Sequence, residues 1–202
     1  MKKVFITLMA AVAVMMSVAS CKCTPDNQEP VEPAVEQVGL VAENAVSMDK
    51  EHMFLQYSEN YRYYETTAVL DNYLDSDTTY TVARVENVFK ALVESEGSTD
   101  TKVVIFVHTL DGGEPQEYEH ATWLGDAELN DEVVKLTFAD AIERVFEANC
   151  PTPHTRYIVL RKPLYPAGNP KYIFGQGLLF VDAVTGEVTD ATGFKMPLGE
   201  WP

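Results

Sequence analysis

The sequence predicts an α+β fold of two tandem units, 48–134 and 135–202, each a helix followed by antiparallel strands and both packed as one domain. Three observations predict it. Apolar residues recur with helical spacing in two stretches, 81–94 and 137–149. Each stretch is followed by β-branched and aromatic runs separated by Gly, Pro and Asp turns. Finally, Val85-Glu86-Asn87-Val88-Phe89-Lys90-Ala91 aligns without gaps on Ile142-Glu143-Arg144-Val145-Phe146-Glu147-Ala148, with four identities and a Val/Ile exchange.

The chain opens with a secretory signal over 1–20. Met1-Lys2-Lys3 is a short basic start, Val4 to Val18 is apolar, and the stretch is short for a membrane span. Ser17-Val18-Ala19-Ser20-Cys21 resembles a bacterial lipobox, with Val18 where leucine is usual. The resemblance implies that Cys21 carries the lipid, palmitate included, and that the chain is held to a membrane without a transmembrane helix. Residues 21–47, rich in proline and acid, read as an extended disordered tether. Their early acids resemble surface-export signals. A plain solubilising linker has the same composition, so the expected location is the bacterial cell envelope, as an outer-membrane lipoprotein, with surface exposure left open by the sequence.

About 180 of the 202 residues remain after processing, enough for one domain with a sizeable core. The net charge of −16 becomes −18 once Lys2 and Lys3 leave with the signal. Such acidity argues against nucleic acid and against docking on anionic lipid. Of the three cysteines, Cys21 is assigned to the lipid and Cys23 sits on the tether, so Cys23 and Cys150 are expected to stay unpaired.

In the first unit, Met48 to Gln56 fits neither period. Tyr57 to Asp75 reads as a strand through its aromatic and β-branched content, with Asp71, Asn72, Asp75 and Asp77 punctuating a loop. Val82, Val85, Val88, Phe89, Leu92 and Val93 place a helix over 81–94. Lys102 to Leu110 is a strand, Asp111-Gly112-Gly113-Glu114 a hairpin turn, and Gln116 to Leu124 the returning strand.

In the second unit, Thr137 is the expected N-cap, with Asp140 three residues on as the capping acid. Apolar positions 138, 141, 142, 145 and 146 form one face, and Cys150-Pro151 ends the helix. Arg156 to Arg161 is a strand, Pro163 to Pro170 a turn, and Lys171 to Phe174 a strand. Gly175-Gln176-Gly177 is a bulge, bend or short loop, and Leu178 to Asp182 a strand. Ala183 to Gly186 turns, with Gly186 free to take positive φ, and Glu187-Val188 returns. The helix opening on Leu136-Thr137, the strands after it, and Phe180-Val181-Asp182-Ala183-Val184-Thr185-Gly186-Glu187-Val188 resemble the PepSY domain and its PepSY-like relatives over roughly 136–190. The whole chain looks like small lipoproteins of Bacteroidetes-type envelopes that carry such domains. The resemblance implies a module that binds protein or peptide partners and restrains a secreted peptidase.

Catalytic motifs are missing from the sequence. There is no H-x-x-x-H, G-x-S-x-G, P-loop or dinucleotide fingerprint, and no C-x-x-C. The four histidines, His52, His108, His120 and His154, are scattered and read as ordinary side chains. A Cys150/His154 nucleophile lacks an orienting partner. Asp182 reads as a turn stabiliser and Glu187 as solvent-facing, and the acids Asp126, Glu128, Asp131 and Glu132 lack calcium-loop spacing. Two groups are candidate binding residues. One is the tyrosine run, above all Tyr61, Tyr63 and Tyr64, with Tyr57, Tyr73 and Tyr80 nearby. The other is the basic island Arg156, Arg161, Lys162 and Lys171. The expected function is non-catalytic, with no cofactor or metal: protein or peptide binding, or alternatively polysaccharide capture on the tyrosine strand.

Overall fold

A computed structural model describes residues 36–74, 79–95, 98–114, 116–120, 127–148, 154–164, 168–175, 179–193 and 195. The elements in order are β1 (Glu36–Gly39), α1 (Ala42–Tyr57), β2 (Tyr61–Leu74), β3 (Thr79–Ser95), β4 (Ser98–Thr109) and β5 (Gln116–His120). A 3₁₀ turn (Asp131–Val133), α2 (Phe138–Glu147), β6 (Thr155–Arg161), β7 (Lys171–Phe174), β8 (Leu179–Asp182) and β9 (Val188–Asp190) complete them. The strands form one continuous sheet in the order β5-β4-β3-β2-β6-β7-β8-β9, with every neighbouring pair antiparallel. β1 lies parallel to the start of β3.

The fold therefore corrects the expected two-unit architecture. Two helix-plus-strand units do not form: β2 and β6 pair directly, so one sheet runs through both halves of the chain. The helix expected over 81–94 is strand β3, hydrogen-bonded to β2 and β4 along most of its length. The repeat disappears with it, since 85–91 is strand and 142–147 is helix. The cause is legible in the burial. Val85, Asn87, Phe89 and Ala91 are all buried, a period of two whose polar member hides the alternation. A register shift between Val69/Arg84 and Leu70/Val82 breaks the period again, leaving a spacing that imitates a helix.

The helix of the first half lies earlier instead. β1 and the first turn of α1 fall within 21–47, the stretch read as tether. α1 has almost no amphipathic signal because its buried face is Ala42, Ala45, Asp49 and Met53, while Met48, Phe54 and Leu55 are exposed. The second helix matches its sequence closely. Thr137 accepts from the Asp140 N–H at 3.1 Å and the Asp140 carboxylate accepts from the Thr137 N–H at 2.8 Å, a reciprocal cap. Glu43 of α1 accepts from the Phe138 N–H at 2.8 Å, adding a second carboxylate at the positive end of α2. Thr137→Ala is expected to cost about 1 kcal/mol in urea denaturation; an unchanged midpoint would contradict the cap's role.

Both helices pack on the same side of the sheet. Ala42, Ala45 and Met53 of α1 and Phe138, Ala141, Ile142 and Val145 of α2 share one core with inward strand residues such as Phe89, Phe106, Leu160 and Tyr172. The Phe138 and Tyr172 rings meet edge to face at 4.9 Å, and the Tyr172 hydroxyl donates to the Leu136 carbonyl. Val88, Val103 and Ile173 are also buried but stand outside this core, because they project from the opposite face. No described helix packs on that second face.

Candidate functional site

The three candidate tyrosines are on β2, but they do not share a face. Tyr63 points to the helices, is 5% exposed and packs against Phe89 at 5.3 Å between ring centroids. Tyr61, half-buried, packs edge to face on Phe89 and donates to the Lys50 carbonyl at 3.3 Å. Tyr64 is the extra residue of a bulge between Tyr63 and Glu65, which turns it to the second face. There the Lys90 ammonium stands 4.5 Å from its ring centroid. Burial raises the phenol pKa of all three above its ordinary value.

The basic island is also divided. Arg156 donates to the Leu70 carbonyl at 2.9 Å and to the Asp71 carbonyl, so it clamps the end of β2 rather than facing a ligand. Lys162 is half-buried where its carbonyl accepts from the Ala127 N–H. Arg161 lies on the second face with Glu65 at 3.8 Å, and Lys171 lies opposite Arg161 across the β6/β7 pair.

Beneath the sheet, sequence reasoning missed a buried polar relay. Four side chains, Asp49, Thr66, Asn87 and His108, are between 0% and 8% exposed and are hydrogen-bonded in series to Tyr63. The Asn87 amide donates to Asp49 at 2.7 Å, and His108 Nε2 donates to the two Asp49 oxygens at 2.9 and 3.0 Å. Thr66 donates to the Asn87 carbonyl oxygen, so the remaining proton, that of Tyr63, is donated to Thr66. With Asp49 ionised every donor points toward its carboxylate, which makes the relay cooperative. Burial pushes the Asp49 carboxyl above its ordinary value, against the hydrogen bonds from Asn87 and His108. The four polar members come from α1, β2, β3 and β4, far apart in sequence, so no motif announces them.

A carboxylate–histidine pair is a familiar catalytic pairing, but here the geometry turns inward. His108 Nε2 faces Asp49, and among the described residues neither lines the clefts beside α1. Of the relay's described members Tyr63 borders two surface clefts, of about 250 and 490 Å³, between α1 and residues 128–138. The Lys50–Asp131 ion pair stands between the two clefts. Among the described residues no group of three His, Cys, Asp or Glu side chains is placed to hold a metal. Cys150 and Asp126 lie outside the described residues, as do Cys21 and Cys23. His154 stacks on Tyr73 at 3.8 Å, and the side chain of His120 is outside the described residues while its backbone pairs with Val103. Glu128 and Asp131 are paired with Arg62 and Lys50.

Asp182 holds its turn, accepting from the Val184 and Thr185 N–H groups at 3.0 and 2.9 Å, and Gly186 takes φ +76°. Glu187 is exposed and pairs with Lys195 at 2.6 Å. Partial burial pushes the Asp182 carboxyl upward, but hydrogen bonds from Thr185, Val184 and Asn169 outweigh it and hold the carboxyl below its ordinary 3.8. A depressed folded pKa means stability that is present above pH 3.8 and lost as pH falls through the lower folded value. Asp182→Asn is thus expected to flatten the acid limb of the stability–pH curve; an unchanged limb would show that the turn carboxylate contributes nothing.

The second face of the sheet is the largest candidate surface. Cross-strand register lays out one row as Tyr118, Ile105, Val88, Glu65, Arg161, Lys171, Asp182 and another as Gln116, Val107, Glu86, Thr67, Val159, Ile173, Phe180, Thr189. Tyr157 and Tyr118 are 57% and 44% exposed. By register its charged residues include the cations Arg62, Arg84, Lys90, Arg161 and Lys171 and the anions Glu65, Glu86, Glu94 and Asp182, so it is close to neutral in a strongly acidic chain. The acids Glu43, Glu51, Glu132, Asp140, Glu143 and Glu147 belong to the helices and the turn before α2. Eight strands at about 4.8 Å spacing span roughly 34 Å, and with paired lengths near 20 Å the face covers on the order of 700 Å². Compared with known protein families, curated proteins and solved structures, the chain matches none.

Proposed function

We propose that this chain is a non-catalytic, lipid-tethered module of the bacterial cell envelope that binds a protein or peptide partner across the second face of its sheet. One observation carries the reading. A face of about 700 Å², close to the roughly 800 Å² that each partner gives to a standard interface, has no described helix over it. It combines tyrosine, arginine and β-branched side chains, the composition of protein-binding surfaces. Its near-neutral charge adds support, since much of the chain's acidity, which would repel an acidic partner, is carried by the helices and the turn before α2. The PepSY-like wording of 136–190 supports the same class of activity, with a secreted peptidase as the partner to try first. The helix-side clefts are less suitable because an ion pair divides them. The polysaccharide alternative rests on Tyr61, Tyr63 and Tyr64 as one platform, and Tyr63 lies under the sheet.

The test is capture from envelope extracts by the full-length protein and two variants. Tyr157→Asp alters the second face and Leu55→Asp alters the exposed side of α1, where Leu55 is 79% exposed. A partner held by wild type and Leu55→Asp but lost by Tyr157→Asp is the expected result. Equal capture by all three proteins would sink the reading.

A further inference from the structure

At its β7–β9 end the second face closes into a cavity of about 270 Å³. Pro163, Phe180 and Ala191 supply apolar walls, and Lys171, Thr189 and Thr192 supply polar ones. Lys171 is unusually placed. Register sets it directly opposite Arg161, a like-charge cross-strand pair that costs stability. Arg161 has Glu65 beside it at 3.8 Å. Lys171's other cross-strand neighbour, Asp182, has committed its carboxylate to the Val184 and Thr185 N–H groups and to Asn169. No carboxylate among the described residues comes within ion-pair range of the Lys171 ammonium, which stands 5.9 Å from the Phe180 ring centroid. Asp190 also lines the cavity, but it accepts from the Thr192 N–H and hydroxyl at 2.8 and 2.6 Å.

A cation placed against a like charge, with apolar walls around it, lacks one component: an anion that brings its own apolar group. We propose that this cavity is a carboxylate subsite that receives the C-terminal residue of a polypeptide partner. The carboxylate meets the Lys171 ammonium and the Thr189 hydroxyl, and the side chain lies against Pro163 and Phe180. An acidic side chain would supply the charge without filling the apolar walls. The inference rests on the second face being the binding face and adds the chemical group that is read there.

The test uses N-acetylphenylalanine, its amide and glucuronate as probes of the full-length protein, followed through the backbone amide resonances of Lys171, Phe180 and Thr189. N-acetylphenylalanine is expected to shift these resonances saturably and its amide at least tenfold more weakly, because the amide lacks the charge. Lys171→Gln is expected to lose the acid's effect and Lys171→Arg to keep it. Relief of the like-charge pair should leave the thermal stability of Lys171→Gln equal to or above wild type. Equal shifts from acid and amide, or an unaltered response in Lys171→Gln, would overturn the subsite, as would glucuronate shifting the resonances where the amino-acid probe does not. The two readings separate cleanly. If Tyr157→Asp abolishes partner capture while Lys171→Gln leaves both capture and probe response intact, the binding face stands and the subsite falls. If the acid probe saturates and is lost in Lys171→Gln but no partner depends on Tyr157, the cavity binds an apolar carboxylate and its assignment to a polypeptide C-terminus falls with the binding face.

Discussion

Asp49→Ala lowers the stability of the domain by about 3–4 kcal/mol, the largest effect expected of any single substitution on α1. The carboxylate accepts from both Asn87 and His108, so its removal leaves two buried N–H groups without acceptors. Each such orphan costs about 1–3 kcal/mol. Packing offers little compensation, because the other buried residues of the α1 face are Ala42, Ala45 and Met53. Asp49→Asn keeps the shape and one acceptor but turns an amide donor toward a second donor, so about half the loss is expected. The pH dependence has a definite sign. The folded pKa of Asp49 is raised above its ordinary 3.8 by burial, so its contribution favours the folded state fully below pH 3.8 and is lost as pH rises through the folded value. Asp49→Asn removes that decline. Urea denaturation at a series of pH values reads both effects, and a wild-type midpoint for Asp49→Ala at neutral pH would show that the relay does not hold α1 to the sheet.

The second half of the fold was legible in the sequence because each element there obeys one local rule. Thr137 and Asp140 cap α2, its apolar positions fall on one face, and Asp182 with Gly186 makes the β8/β9 turn. The first half obeys no such rule. α1 buries an aspartate and exposes Leu55, which cancels its period, and β3 buries Asn87, which cancels its alternation. Both exceptions have one cause: Asp49 and Asn87 are hydrogen-bonded to each other. A polar group inside a core is acceptable only when its partner is also there, and that partner is 38 residues away. The relay and the misread elements are therefore the same feature. The candidate residues were separated for a related reason. Tyr61, Tyr63 and Tyr64 look like a contiguous surface, but strand alternation and a bulge put Tyr63 inside and Tyr64 outside. Only the pairing of β6 with β7, invisible in either strand alone, sets Lys171 against Arg161.

Tyr157→Asp is expected to weaken partner binding at least thirtyfold while leaving stability within about 0.5 kcal/mol of wild type. The two halves of this expectation follow from where the side chain stands. Tyr157 is 57% exposed on the second face, so the folded core loses little when it is replaced. Its ring lies across from Val69, in the central β2/β6 pair, where a docked partner would bury it most completely. Aromatic side chains at such positions contribute about 2 kcal/mol or more on truncation, which is about thirtyfold in affinity. An aspartate there adds a carboxylate that the interface must desolvate without a cation of its own, since Arg156 is spent on the Leu70 and Asp71 carbonyls. The loss should appear mainly as faster dissociation, because a single added charge alters encounter only modestly at physiological salt. Tyr118→Asp, at the outer β5 strand and also on this face, should cost less, since rim positions stay wet in a complex. Surface plasmon resonance against the captured partner gives the ranking directly. A loss for Leu55→Asp with Tyr157→Asp binding like wild type would place the contact on the helix side and not on the sheet.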